Sequence, residues 1–475
     1  MQIVSFIFFG MVALLFGLLY LCGRLVRDPQ KSNRIANGLL LIASYLFVLY
    51  GDWRFALVLF AVTLITWLTA IRGQVMPGVI AALAALAFFK YTNFFSQSFA
   101  SLLGQDFTAL HIILPLGISF YTFSAIGYLL DVRRGKTVAH GLGELALYLA
   151  FFPKITSGPI QKSGDFFRQA EQKRMVGWQT FQPGIQIFAF GLFKKIVLAD
   201  HLSVFVDQVY ATPNAFGSGT VLLAAFSYSL QIYFDFSGYS DMAIGTAKIL
   251  GFDLPRNFNL PYLAHNVTEF WKRWHMTLSA WLQEYLYISL GGNRKGRLRT
   301  YLNLILTMVL GGIWHGASWT YVIWGLLHGL ALAVHKLWMK LSGSAGKVPG
   351  RLTSLLSMLL TFLFVSFCWI FFRAETLSQA MLILTRIFSF EVGLEQPYFW
   401  LFAGGILLIM ASILARVASR GKCLSGKYKN VSLVEGYYPV RDLTRFWNLV
   451  WFFAFAGLIL CLAYTGGSPF IYGNY

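Results

Sequence analysis

Two histidines lie where an ionisable side chain is costly to bury. His315 lies between Gly312 and Gly316 in a run without Asp, Glu, Lys or Arg, LILTMVLGGIWHGASWTYVIWGLLHG. Ionisable residues inside apolar segments usually face a bundle interior and serve a function. The alternative is a structural histidine at a small-residue helix contact. We favour function for His315 and take the neighbouring Trp314 as a candidate substrate contact.

The second histidine belongs to a more polar stretch, FNLPYLAHNVTEFWKRWHMTLSAWLQEYLYISLGGNRKG. If this stretch is one helix, His275 shares an aromatic face with Trp271, Trp274 and Trp281. An aromatic belt at a membrane surface explains the tryptophans but not the histidine. Belt and site therefore remain open alternatives for His275 and Trp274. His328 and His335 are better explained as a polar contact within the bundle and a helix-end residue.

Acidic and basic residues nearby are weaker candidates. Asp235 and Asp241 end an apolar run with Ser237 between them, and we predict either substrate ligands or capping and turn residues. Arg294 and Lys295 lie in the loop GGNRKGRLR, which could attract the phosphates of a nucleotide-bearing donor or hold anionic lipid.

Several reaction classes lack their usual motifs. The chain has no Gly-Lys-Ser/Thr phosphate loop, no G-x-S-x-G elbow and no H-E-x-x-H helix. Its four cysteines have neither disulfide nor metal spacing, so we expect no metal and no bound cofactor. Histidine without a nucleophile or metal indicates acid–base chemistry.

The elements that position these residues belong to a membrane protein. Hydrophobic residues make up 57% of the 475 residues and charged residues 12%, whereas a soluble domain carries about 25%. We predict an all-α polytopic bundle of about eleven or twelve spans, among them spans near 36–52, 54–71, 220–236, 301–338 (two passes) and 397–415. The formal charge of +19 comes mostly from short connections and indicates topology rather than nucleic-acid binding.

The basic connections predict an orientation. An uncharged N-terminus lies outside, the segment 24–34 faces the cytoplasm, and the Lys/Arg-free segment 207–219 faces outside. The stretches 153–182 and 255–299 mix aromatic, Pro, Gly and charged residues, so we predict re-entrant or interfacial helices there. No internal boundary is evident, and we expect one domain over 1–475 with its core at about 110–390.

The motifs resemble those of the membrane-bound O-acyltransferase family, in which a buried WHG histidine follows a second polar His or Asn by about forty residues. YFDFSGYSDMAIG, GGIWHGASWTYVIWGLLHG and WIFFRAETLSQA resemble its bacterial polysaccharide O-acetyltransferase branch, which modifies alginate or peptidoglycan. The chain departs from that branch at Gln283, Glu284 and Ser289. The run YLYISLGGNRKG favours acetyl over the D-alanyl transfer of a related teichoic acid branch.

The resemblance implies helices around a central funnel in a bacterial cytoplasmic membrane. His315 then acts as general base, or carries the acyl group as acetyl-histidine, and His275 orients or polarises the thioester. The implied donor is cytosolic acetyl-CoA. The implied acceptor is an extracytoplasmic polysaccharide or a periplasmic acetyltransferase partner, with a lipid or protein acceptor as an alternative. A transporter, the rival from another class, predicts inverted repeats, and the sequence shows none.

Overall fold

A computed structural model describes residues 5–174, 176–343, 350–393, 431–434 and 438–464, together with Gly466 and Ile471. Most of these residues are helical, and the regular structure is almost entirely α, which confirms the all-α prediction. The exception is an antiparallel strand pair, β1 (Val431–Val434) and β2 (Tyr438–Arg441). The span predicted at 397–415 lies outside the described residues.

Six helices among the described residues are long and apolar enough to cross a membrane. They are α1 (Phe6–Leu25), α2 (Pro29–Leu49), α3 (Trp53–Ile71), α4 (Val75–Leu102), α15 (Trp319–Leu341) and α16 (Arg351–Arg373). The first has 20 residues and is therefore about 30 Å long, the thickness of a hydrocarbon core. The chain is a multi-pass membrane protein, while the count of eleven or twelve spans stays a prediction.

Shorter helices fill the bundle between these spans. They are α5 (Ile118–Arg133), α6 (Leu142–Ala150), α7 (Phe152–Ile155), α8 (Ser163–Glu171), α9 (Trp178–Leu192), α10 (Asp200–Ala211), α17 (Leu377–Phe388) and α18 (Phe446–Leu462). A π-helical segment, Phe193–Ala199, joins α9 to α10.

The centre is formed by α11 (Ser218–Ile249), a helix of 32 residues that is buried along most of its length. The predicted turn around Ser237 is wrong, because the helix continues without interruption. A Cβ on Gly191 would lie 2.5 Å from the carbonyl oxygen of Gly238, so two glycines allow α9 to approach the middle of α11. The small residues that suggested a turn serve helix packing instead.

The segment 301–338, predicted as two passes, forms two helices, α14 (Arg297–His315) and α15, and α15 is one of the six apolar helices described above. Glycines bring these helices close: a Cβ on Gly312 would lie 2.3 Å from the carbonyl oxygen of Tyr321, and one on Gly325 would lie 2.4 Å from that of Met308. The small-residue contact considered as an alternative therefore exists. His315 is the last residue of α14 and lies at the corner where these two helices pack closely.

The polar stretch 255–299 is broken into short pieces. It contains α12 (Val267–Trp271), α13 (Met276–Trp281) and a π-helical segment, Leu282–Tyr287, besides a 3-10 turn at Pro261–Leu263. The irregular structure agrees with the prediction that no continuous span runs here. The single aromatic face predicted around His275 is wrong, because the helix is interrupted at that residue.

Candidate functional site

The two predicted histidines both lie close to one tryptophan ring. The ring centroid of Trp314 is 4.9 Å from that of His315 and 6.2 Å from that of His275. His275 is fully buried and His315 is 2% exposed. Forty residues of sequence separate two imidazoles that the fold brings into one buried site.

His315 is enclosed by aromatic rings from two further helices. Trp324 of α15 presents its ring at 5.1 Å in an edge-on arrangement, and Phe372 of α16 lies at 5.2 Å. Such rings exclude water, and the imidazole nitrogens remain as polar atoms within an apolar enclosure. Three helices therefore hold this side chain in place.

A lysine that the sequence analysis missed supports the backbone of His315. The Nζ atom of Lys90, on α4, donates to the carbonyl oxygens of Trp314 at 2.5 Å and His315 at 3.2 Å, and to Ser119 Oγ at 3.2 Å. These carbonyls end α14, where a helix presents partial negative charge that a cation stabilises. A lone lysine inside the apolar run AALAALAFFKYTNFF was the signal for it.

His275 lies at the break between α12 and α13 in a left-handed conformation, with φ of 41°. Few non-glycine residues adopt this region, and such conformations persist when surrounding contacts hold them. Asn257 supplies those contacts: its carbonyl oxygen accepts from Met276 N at 2.9 Å, and its Oδ1 lies 3.0 Å from His275 Nδ1. Asn257 was also missed, although it is a buried amide in the irregular stretch.

The break sends the predicted aromatic neighbours of His275 in different directions. Trp271 Nε1 donates to His328 Nδ1 at 3.3 Å, which confirms His328 as a polar contact within the bundle. Trp274 packs into the core against Trp369 at 4.9 Å. Trp281 stacks on Phe123 at 3.9 Å, and Phe123 in turn stacks on Trp314. Of these tryptophans, Trp281 connects to the site through stacked rings.

Lysines engage both predicted acidic ligands. Lys195, in the π-helical segment, places Nζ 2.7 Å from Asp235 and 2.8 Å from Asp200, while Lys194 lies 2.5 Å from Asp241. The Ile471 backbone N also donates to Asp235 at 2.9 Å. Buried carboxylates require such pairing, and these contacts join α11 to the π-helical segment. Ser237 is buried in the same helix, and a substrate role for the three residues stays a prediction.

A cavity of about 250 Å³ reaches the neighbourhood of His275. Its outer wall carries Lys162, Asp165 and Arg256, and its inner wall includes Met276 and Thr277, the two residues that follow His275. Phe123 and Trp281 form one side. This cavity therefore has charged side chains in its wall and borders the two residues that follow His275.

The predicted basic loop lines a different cavity. Arg294 and Lys295 border a space of about 430 Å³, which shares Gln283, Tyr287 and Asn293 with a more apolar space of about 450 Å³. Neither wall shares a residue with the 250 Å³ cavity. Ser279, whose backbone N donates to the carbonyl oxygen of His275 at 3.0 Å, lines the more apolar space. The loop is therefore separate from the cavity that reaches Thr277.

Glu284 ties the irregular stretch to two other segments. Its carboxylate pairs with Lys136 and, at 2.6 Å, with Lys162. Partial burial acts to raise the pKa of Glu284, but the hydrogen bonds from both lysines outweigh it and hold the pKa below its usual value. The ion pairs join the rim of the smaller cavity to the end of α5. No cluster of three metal-ligating side chains occurs among the described residues.

Comparison with known proteins places the chain in a family. The membrane-bound O-acyltransferase family profile matches residues 134–348. The probable alginate O-acetylase AlgI of Pseudomonas aeruginosa is 41% identical over 393 residues, 79% of this chain and 72% of that protein. The peptidoglycan O-acetyltransferase of Helicobacter pylori is 40% identical, covering 66% of this chain and 64% of that protein. The teichoic acid D-alanyltransferase of Bacillus subtilis is 28% identical over 78% of this chain and 97% of its own length.

The segment that matches the family profile, residues 134–348, contains both buried histidines and the glycine-packed corner at His315. The chain belongs to the membrane-bound O-acyltransferase family.

Proposed function

We propose that the protein is an O-acetyltransferase of the bacterial cytoplasmic membrane, which moves acetyl from cytosolic acetyl-CoA to an extracytoplasmic polysaccharide. The observation that carries this proposal is the pair of buried imidazoles close to the ring of Trp314. Relatives that bear alginate and peptidoglycan O-acetylation names support acetyl as the group and polysaccharide as the acceptor class. Their identity to this chain exceeds that of the D-alanyltransferase.

The donor enters through the cavity whose wall includes Thr277. Lys162 and Arg256 lie at its rim, where cationic side chains attract the phosphates of coenzyme A. The narrow interior, lined by Phe123 and Trp281, suits the slender pantetheine arm. In the predicted topology this rim faces the cytoplasm, because Lys162 shares Glu284 with Lys136 of the cytoplasmic connection after α5.

His315 acts as the general base. It accepts the proton of an acceptor hydroxyl as the oxygen attacks the thioester carbonyl carbon, and a C–O bond forms. The tetrahedral intermediate then collapses, the C–S bond breaks, and the imidazolium returns its proton to the coenzyme A thiolate. Burial among Trp314, Trp324 and Phe372 keeps water from competing with the acceptor hydroxyl.

An acetyl-histidine relay is a second route through the same residues. In it the unprotonated imidazole nitrogen of His315 attacks the thioester, coenzyme A leaves, and the acceptor hydroxyl attacks acetyl-imidazole. The acceptor in either route is the polysaccharide itself or a periplasmic acetyltransferase partner that passes the acetyl group on.

Sealed vesicles of known orientation test the proposal. Inverted membrane vesicles expose the cytoplasmic face, so labelled acetyl-CoA added outside them should yield acetyl esters on polymer or partner protein in the lumen. Vesicles of the opposite orientation should give none until they are permeabilised. Equal labelling from both faces, or transfer by a His275→Ala, His315→Ala double variant, would contradict the proposal.

A further inference from the structure

We propose that Asn257 fixes the tautomer of His275, so that Nδ1 carries the hydrogen and Nε2 presents a lone pair to the substrates. The assignment of the tautomer comes from hydrogen-bond geometry alone. Its consequence for acyl transfer rests on the proposed function.

The orientation of the Asn257 amide follows from Thr277. The backbone N–H of Thr277 can only donate, and it lies 3.2 Å from the amide atom placed as Oδ1. The Thr277 hydroxyl accepts from the backbone N–H of Ile160 at 3.0 Å and donates to the same Asn257 atom at 2.9 Å. An atom that faces these two donors is the carbonyl oxygen, and Nδ2 then faces Ser240 Oγ at 3.3 Å.

The tautomer of His275 follows from that orientation. An amide oxygen has no hydrogen to give, so the 3.0 Å contact between Asn257 Oδ1 and His275 Nδ1 requires the hydrogen on Nδ1. A neutral imidazole carries one hydrogen, which leaves the lone pair on Nε2. Both residues are buried, with Asn257 1% exposed, so water does not compete for Nδ1.

Asn257 also holds the backbone that presents the ring. Its carbonyl oxygen accepts from Met276 N, the residue that follows the left-handed His275. Asn259 adds a second bond to the same bend, from its backbone N to the carbonyl oxygen of Arg273 at 2.9 Å. The bend is therefore bonded through backbone atoms on both sides. Replacement of the Asn257 side chain removes the tautomer contact but keeps these bonds.

The tautomer changes the role expected of His275. A group that polarises a thioester carbonyl must donate a hydrogen bond to its oxygen, and neutral His275 has already given its hydrogen to Asn257. Its Nε2 instead accepts a hydrogen bond, from a pantetheine amide N–H or from the acceptor hydroxyl. His275 therefore positions a substrate through an accepted bond rather than by electrophilic assistance.

Nitrogen NMR of the intact protein in lipid nanodiscs tests the tautomer. In protein with ¹⁵N-labelled histidine, the His275 signals are those lost in His275→Gln. We expect a protonated Nδ1 and an unprotonated Nε2, retained in Asn257→Asp, which keeps an acceptor oxygen. In Asn257→Leu we expect signals from the other tautomer to appear. Asn259→Leu, on the same bend, is the matched control and should keep the wild-type pattern.

Transfer rates provide a second readout. A wrong tautomer in a serine-protease triad costs about 10⁴ in rate, and we expect a loss on the order of 10² or more in kcat for Asn257→Leu. Asn257→Asp should restore most of it, and Asn257→Gln, whose oxygen is displaced by one methylene, should not. A protonated Nε2 in the wild type, or an unchanged tautomer in Asn257→Leu, would overturn the inference. A confirmed tautomer with undiminished transfer by His275→Ala would instead contradict the proposed function.

Discussion

The replacement of His315 by Gln separates catalysis from structure, because the protein contains a matched control. His328 is also buried, and it also contacts the ring of Trp324, at 5.0 Å against 5.1 Å for His315. Both residues lie at the α14–α15 pair, and both are ringed by aromatic side chains. His328 accepts a hydrogen bond from Trp271 and has no catalytic role in the proposal.

The expected effects differ by orders of magnitude. Loss of a general base typically lowers the rate by about 10² to 10⁴. At about 1.36 kcal/mol per tenfold, this corresponds to roughly 2.7 to 5.4 kcal/mol of lost transition-state stabilisation. The stability effects should be similar in the two variants, because each exchanges a buried imidazole with aromatic contacts for a flexible amide. His315→Gln should therefore abolish most transfer, while His328→Gln should lose at most the fraction that reduced abundance explains.

The assay measures the acetyl ester content of the cell-surface polymer beside the membrane level and thermal stability of each variant. Activity per folded molecule is the quantity to compare. If His315→Gln transfers acetyl as well as His328→Gln at equal abundance, then His315 is structural. That result would refute the assignment of His315 and reopen the transporter alternative.

Further predictions concern the donor, the topology, the packing and pH. Neutralising Lys162 and Arg256, in the wall of the proposed donor cavity, should raise the apparent KM for acetyl-CoA, more strongly at low ionic strength. Neutralising Arg294, Lys295 and Arg297 in the separate basic loop should leave this KM unchanged, and the reverse pattern would contradict the donor route. Single cysteines in 207–219 should react with an external reagent and those in 24–34 should not, whereas the reverse would refute the topology. Gly312→Ala should lower abundance because its Cβ would lie 2.3 Å from a backbone oxygen. Gly311→Ala, whose Cβ would meet a flexible side chain at 3.3 Å, should cost less, and equal losses would contradict the packing argument. Glu284→Gln should lower the melting temperature at neutral pH. Because the folded-state pKa is lowered, this difference from wild type should shrink as pH falls below about 4.5, and a constant difference would argue against the ion pairs.

Local signals in the sequence were sufficient to predict an all-α membrane protein and to propose His315 and His275 as candidate site residues. Long apolar runs must form helices in lipid because each backbone polar group needs a partner within the segment. An imidazole in a run without other charge is costly for the same reason, so His315 is visible from its neighbours alone. Glycines beside it indicated a close helix contact, which the packing of Gly312 confirms.

Long-range contacts decided the rest. Sequence periodicity assumes a continuous helix, and it therefore placed His275 on an aromatic face that the break before α13 removes. The turn that was one alternative at Ser237 is absent, because the small residues there pack α9 against a continuous α11, and Asp235 is paired with Lys195 from forty residues earlier. Lys90 lies 225 residues from the carbonyl of His315 that it contacts. A hydrogen bond between distant segments leaves no local pattern, so the two histidines could be proposed from the sequence, whereas the roles of Lys90 and Asn257 and the geometry of the site could not.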